Sequence, residues 1–192
     1  YSGYGGIEFQ IENIVSNLMN NGWQIFFLSD VLSPLSKSLE EKNTKVIIKP
    51  FHGTFRWAIM VKQICKENGI GLIQSHVLKD SFVCRIVKLL KPSLIHVFRV
   101  HTYIDCSHIS RKRKNLYHFA CWITDPLVDM YISINEYNIK EMKKRTHLLG
   151  KKMRVVPNVI RPLTYKKEDA CEIKNGHIAM IANFVDFKGH DV

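Results

Sequence analysis

Apolar positions along the chain form two kinds of stretch, and the two kinds alternate. Ile7, Ile11, Ile14, Val15 and Leu18 recur at a spacing of about 3.6 residues, which predicts a helix with one buried face. Asn20-Asn21-Gly22 stops it, because glycine accepts the left-handed conformation at a helix end. Trp23 to Leu28 is a nearly continuous apolar run, the pattern of a strand buried on both faces. Ser29 to Asn43 reads as a polar loop with a short helix near Leu35 to Glu41. Lys45 to Ile48 then reads as a strand and Pro50 to Thr54 as a turn. A helix over Trp57 to Asn68 follows, with Ala58, Val61, Ile64 and Cys65 on one side and Gly69 as its cap.

The same alternation continues. Leu72 to Ser75 is a predicted strand ending at His76, and Ser81 to Leu90 a helix that stops before Pro92. Ile95 to Val100 is a strand ending at His101-Thr102. A long loop precedes a helix near Asn115 to Ile123, then a strand at Met130 to Ile134 and a helix at Glu136 to Arg145. Met153 to Val156 is a strand ending at Pro157-Asn158. Past a polar, linker-like stretch, Ile178 to Ala182 is one more strand, followed by Phe187-Lys188-Gly189. Strands alternating with helices predict an α/β fold, a Rossmann-like parallel sheet with helices on both faces. Because the chain opens directly on the first helix, a strand is expected to precede it.

Ligands of such sheets bind beyond the carboxyl ends of the strands. His76, His101, Ser133 and Asn158 each close a predicted strand, so they share one rim. The opening stretch belongs to that rim as well. Gly3, Gly5 and Gly6 lie just before the first helix, where unpaired N–H groups and the helix dipole favour an anion. Neither Gly5 nor Gly6 has a Cβ to block the approach of a phosphate. Two known phosphate loops are excluded. The third position of a dinucleotide fingerprint is Glu8 rather than glycine, and no Gly-Lys-Ser/Thr occurs in the chain.

Composition narrows the classes. With 192 residues, 46% of them apolar, the chain can build a globular core, and no apolar run reaches the roughly 20 residues of a membrane span. A formal charge of +11 suits an anionic partner, with basic runs at Arg111 to Lys114, Lys140 to Arg145 and Lys151 to Arg154. No helix-turn-helix, finger or RNP-type signature accompanies them, so nucleic acid is not expected. The five cysteines make no C-x-x-C pair and read as reduced thiols, most of them core fillers; no zinc-type ligand spacing is present.

Taken in order, the rim motifs resemble the N-terminal half of a GT-B glycosyltransferase of the family 4 type. They are Gly5-Gly6-Ile7-Glu8, Gly22 before the second strand, Ile73-Gln74-Ser75-His76 and Val100-His101-Thr102. Ser133-Ile134-Asn135-Glu136, Val156-Pro157-Asn158 and Ala182-Asn183-Phe184 through Lys188-Gly189-His190-Asp191 complete the set. Two departures stand out. The Asn-Gly-Val-Asp turn common in the family is Asn158-Val159-Ile160-Arg161 here, and Ala182-Asn183 replaces a frequent Gly-Arg.

The resemblance implies an acceptor-binding domain over residues 1–164 that lacks its first strand, a linker over 165–175, and the start of a donor-binding domain over 176–192. It implies retaining transfer of a sugar from a nucleotide-sugar donor to a sugar or lipid-linked acceptor, without a cofactor or metal. His101 would be the catalytic residue. Gly5, Gly6, Asn158 and Lys188 would hold the donor and its phosphates, and His76, Thr102 and Glu8 would lie on the acceptor side. A cytoplasmic enzyme of polysaccharide biosynthesis, peripheral at an anionic inner membrane face, fits this picture. Without the paired-glutamate segment of the donor domain, this length of chain is expected to be inactive alone. The competing reading is a non-enzymatic Rossmann-like module for an anionic ligand.

Overall fold

The computed structural model of the chain describes residues 5–101, 111–146 and 152–159, apart from a few side chains within the helices. All of these belong to the first of two compact units, Tyr1–Val159; the second, Ile160–Val192, lies outside the described residues, as do Thr102, Lys188 and the predicted strand at 178–182.

Helix α1 covers Gly6–Asn20 and is followed by strand β1 (Phe26–Ser29), helix α2 (Pro34–Glu41) and strand β2 (Lys45–Ile48). Helix α3 (Thr54–Glu67), strand β3 (Leu72–Ser75), helix α4 (Leu78–Leu90) and strand β4 (Ile95–Val100) come next. Helix α5 (Arg111–Ile123) leads through a 3₁₀ turn (Asp125–Leu127) to strand β5 (Met130–Ser133), helix α6 (Glu136–Thr146) and strand β6 (Met153–Val155). Local chemistry sets several boundaries. Ser33 caps α2, its Oγ accepting from the Ser36 N–H at 3.2 Å while Ser36 Oγ accepts from the Ser33 N–H at 2.7 Å, and Pro34 occupies the first helical position. Gly22 and Gly69, just past α1 and α3, adopt φ of +81° and +64°, where a side chain would be strained.

All strand pairs are parallel, but they form two sheets rather than the single sheet expected. β1 pairs with β2, and β3, β4, β5 and β6 pair in that order. The break falls between β1 and β3. In a doubly wound sheet of order 3-2-1-4, that position belongs to the strand leading into the first helix. Among the described residues no strand occupies it. The first strand is also shorter than its apolar run: Trp23 is 57% exposed, and all four residues of β1 are only half-buried. A strand with one ladder neighbour gains less burial than a central one.

Three clusters make the core. Val15, Leu35 and Leu39 join α1 to α2; Ala58, Val61, Cys65, Val83, Val87 and Leu94 join α3 to α4; Phe98, Val100, Val128, Tyr131, Met142 and Met153 lie around β4, β5 and α6. β4 is central, and every residue from His96 to Val100 is buried. Of its two polar side chains, Arg99 lies next to the carboxyl end of the strand and His96 is satisfied inside the core. His96 Nδ1 faces the Leu127 carbonyl at 3.2 Å and Nε2 faces Ser75 Oγ at 3.0 Å, so the ring is a neutral Nδ1–H tautomer accepting from serine. Burial is the main reason its pKa falls to about 4. Buried Arg85 on α4 donates to the Cys121 carbonyl at 3.2 Å and to Tyr131 Oη at 3.3 Å. Tyr131 in turn donates to Asp125 at 2.8 Å, which ties α4, α5, the 3₁₀ turn and β5 together.

Helix α1 departs from its predicted face. Its buried residues are Gln10, Glu12, Asn13 and Val15, while Ile7, Ile11, Ile14 and Leu18 are half-buried. The reason is that α1 packs against polar partners on two sides. Glu12 receives Ser38 Oγ at 2.8 Å and pairs with Lys42 around α2. Gln10 binds the backbone of Val159 twice, donating to its carbonyl at 2.8 Å and accepting from its N–H at 3.1 Å.

Candidate functional site at the carboxyl ends of the strands

The rim predicted from strand ends is assembled by β3, β4, β6 and the start of α1. His76 leaves β3 and His101 leaves β4. Because β3 and β4 pair in parallel register, with Ser75 opposite Phe98, both histidines emerge at the same end. Their rings stack with centroids 5.2 Å apart, and His76 Nδ1 lies 2.9 Å from His101 Nε2. Gln74 Nε2 closes the other side of His76, 3.2 Å from its Nε2. With Gln74 donating there, His76 carries its proton on Nδ1 and donates it to His101 Nε2. The His101 proton then sits on Nδ1, the one ring nitrogen that this chain of bonds leaves for a ligand.

Both imidazoles are held neutral. Burial pushes the pKa of His76 down to about 3; repulsion between the two rings, should both protonate, and the Arg99 guanidinium act the same way. Burial and then Arg99 push His101 to about 4, with the Glu8 carboxylate opposing weakly. His101 is thus an enclosed residue, 7% exposed, rather than one standing free in a cleft.

Glu8 and Gly5 form the α1 side of the site. The Gly5 N–H donates to Glu8 Oε2 at 3.0 Å, so the carboxylate folds back over the helix N-terminus. Gly5 and Gly6 are exposed; a Cβ on Gly6 would meet nothing within 4 Å, whereas one on Gly5 would press on Glu8 at 3.0 Å. Asn158, past the end of β6 at Val155, accepts from Arg99 Nη2 at 3.3 Å, and the same group donates to the Val156 carbonyl at 3.2 Å. The structure therefore brings Glu8, His76 and His101 into one electrostatic neighbourhood and links Asn158 to it through Arg99. Thr102 and Lys188 lie outside the described residues.

Arg99 and Gln74 are the residues that strand-end reasoning missed. Arg99 is 4% exposed, and its Nε finds no partner among the described residues. Burial lowers its pKa. The signal was in the sequence: an arginine in the middle of Ile95-His96-Val97-Phe98-Arg99-Val100 has to be buried with the strand. Among the described residues no group of three His, Cys, Asp or Glu side chains could hold a metal ion.

Comparison with known proteins identifies the family. The model of Glycosyltransferase Family 4 matches residues 4–162, most of the chain. The chain belongs to glycosyltransferase family 4. Its fold is that of solved glycosyltransferases. The crystal structure of HepE from Anabaena, determined in complex with UDP-glucose, superposes with a TM-score of 0.67 at 13% identity, over 83% of this chain and 42% of that one. A glycosyltransferase from Rickettsia africae superposes with a TM-score of 0.61 at 13% identity, over 80% of this chain and 39% of that one. The family 4 chain thus spans less than half the length of either. No curated protein matches it by sequence. Among the described residues, no helix of this family 4 chain is long and apolar enough to cross a membrane.

Proposed function

We propose that this family 4 chain is the acceptor-side half of a glycosyltransferase that moves a hexosyl unit from a nucleotide sugar to a glycan or lipid-linked acceptor, with retention at the anomeric carbon. The family match over residues 4–162 carries the proposal; the gathering of Glu8, His76, Arg99 and His101 at one end of the sheet supports it. In the reaction, the bond from the anomeric carbon to the diphosphate oxygen breaks and a bond to the acceptor oxygen forms. The acceptor proton leaves with the nucleoside diphosphate, so atoms and charge balance.

The residues have distinct parts in this reading. Negative charge grows on the departing diphosphate, and the N-terminus of α1 at Gly5 and Gly6 offers N–H groups and a positive dipole end to meet it. Glu8 must swing away from the Gly5 N–H for this to happen. His101 holds a sugar hydroxyl through its free ring nitrogen as a neutral hydrogen-bonding group; a pKa of about 4 makes it a poor base at neutral pH. Asn158, and Lys188 beyond it, are assigned to the donor, and His76 and Thr102 to the acceptor side. No cofactor or metal takes part, and the enzyme works in the cytoplasm, on an acceptor of polysaccharide biosynthesis at the inner membrane face.

Donor hydrolysis and transfer by the full-length chain, measured over a panel of nucleotide sugars, test the reading. One or more donors should be consumed, and His101→Ala should lower kcat at least about tenfold, or ~1.4 kcal/mol. The cost in stability should stay below the roughly 2–5 kcal/mol of a core deletion. Nucleotide binding without consumption of any donor would replace the enzyme with a non-catalytic anion-binding module.

A further inference from the structure

His76 has no ring nitrogen left for a ligand. Its Nε2 lies 3.2 Å from Gln74 Nε2 and its Nδ1 2.9 Å from His101 Nε2, so both are engaged inside the protein. Its ring also stacks on that of His101, the two planes 24° apart. A residue so placed acts on a substrate through the ring it touches. The backbone explains the arrangement. Side chains two apart on a strand share a face. Gln74 and His76 are two apart at the end of β3, and Arg99 and His101 are two apart at the end of β4. Parallel register sets Gln74 beside Val97 and Ser75 beside Phe98. Carried one residue further, it sets His76 beside Arg99, with His101 one step beyond on the same face. Gln74, His76 and His101 thus form a line from β3 to the open end of β4.

We propose that Gln74 and His76 are positioning residues, whose hydrogen bonds fix His101 as a proton donor toward the substrate. What His101 meets rests on the transferase reading; the order of the bonds rests on geometry. Gln74 Nε2 carries protons and accepts nothing, so His76 Nε2 must accept and the His76 proton sits on Nδ1. That proton goes to His101 Nε2, which must accept in turn, and Nδ1 of His101 keeps its N–H. Without the relay, either nitrogen of His101 could hold the proton, and the ring could present a lone pair instead. A fixed N–H donor needs an acceptor. It suits a hydroxyl or carbonyl oxygen of a sugar and has no partner in an ammonium. His101 is 7% exposed, and a buried donor left unpaired is costly. The order of the bonds therefore becomes specificity: the site takes a sugar with oxygen at the contacted position over one with a charged amine there.

The experiment uses the full-length chain with its histidines labelled in nitrogen-15. Long-range proton–nitrogen NMR separates a protonated ring nitrogen from a bare one, and His101→Asn identifies the His101 signals by their loss. His101 should be the Nδ1–H form. His76→Leu removes its donor, and the Nε2–H form should then appear; Gln74→Leu, one bond further away, should release it as well. His76→Asn offers an amide N–H in place of Nδ1–H and should restore the original form. In turnover, His76→Leu should lower kcat about tenfold in the native background and less than about twofold on top of His101→Ala, because both variants break the same interaction. A residue that merely supports the fold would cost the same factor in both backgrounds. Three results would overturn the proposal: an Nε2–H His101 in the native chain, a tautomer unchanged in both leucine variants, or additive losses in the double variant. The tautomer is read without turnover. A chain that consumes no donor and still shows this pattern would sink the transferase reading and uphold the relay.

Discussion

Lowering the pH from 7.5 to 5 should destabilise this protein by several kcal/mol, because His76 and His96 are buried as neutral rings. Their folded pKa values, about 3 and about 4, lie below the 6.5 of the unfolded chain. Above pH 6.5 both states are neutral and nothing is lost. As pH falls through 6.5 the unfolded chain takes up protons that the folded one refuses, so the stability present at neutral pH declines until the folded pKa is reached. At pH 5 the loss is about 2 kcal/mol per ring, or about 4 kcal/mol for the two. His101 bonds to His76 and titrates with it as a pair, so it is left out of the sum. Asp80 works in the opposite direction: burial raises its pKa, so its folded form gains protons first and offsets part of the loss. Urea unfolding across this range should show a falling midpoint. Calorimetry in buffers of different ionisation enthalpy should show one to two protons taken up per molecule unfolded near pH 5, about 1.4 kcal/mol per pH unit for each. His96→Asn keeps a donor for the Leu127 carbonyl and should remove about one proton from that count, whatever it does to absolute stability. A midpoint that stays level between pH 7.5 and 5, or an uptake well below one proton, would show that these rings are not held neutral by burial.

Two further outcomes follow from local geometry. Gly6→Val should leave the fold intact, since a Cβ there meets nothing within 4 Å, yet weaken nucleoside diphosphate binding by the full-length chain about tenfold; unchanged affinity by calorimetry would remove Gly5 and Gly6 from the donor site. Tyr131→Phe should cost about 1–3 kcal/mol, because Asp125 and Arg85 both lose a buried partner, and a change in unfolding free energy below about 0.5 kcal/mol would mean that water replaces the hydroxyl.

The order of strands and helices was legible because each element carries its own period and its own stop. Lys45 to Ile48, Leu72 to Ser75 and Ile95 to Val100 are strands in the structure as in the sequence, since short apolar runs bounded by turn residues fit no other element of that length. Partners across the fold were less legible. The face of α1 was misread because its buried polar residues, Gln10 and Glu12, bind Val159, Ser38 and Lys42, which lie 149, 26 and 30 residues away. No periodicity encodes such a partner. The break between β1 and β3 was hidden for the same reason: local pattern says that a strand exists, and nothing local says what lies beside it. At the site, the strand-end rule found both histidines. Their mutual hydrogen bond was out of reach, because it depends on the β3–β4 register and not on either motif.

Arg99 gives the site its electrical character. It is a buried cation, and its only hydrogen bonds among the described residues go to neutral groups, the Val156 carbonyl and the Asn158 amide oxygen. A buried charge compensated only by dipoles is costly, and it disfavours any second positive charge nearby. That is why its field, added to burial, keeps both imidazoles from protonating. Glu8, the nearby carboxylate, is committed to the Gly5 N–H, so it offsets Arg99 only weakly at His101. The result is a rim that is net positive through Arg99 and the α1 terminus, with hydrogen-bonding groups that are themselves uncharged. For the proposed transfer this division of labour is useful. A diphosphate is drawn by the fixed charge and the dipole, while neutral His101 can bind a sugar hydroxyl without pairing with the phosphate or being drawn toward it. A protonated His101 would compete for the diphosphate and would lose its specificity for the sugar. Burial, Arg99 and the His76 bond all act to prevent that.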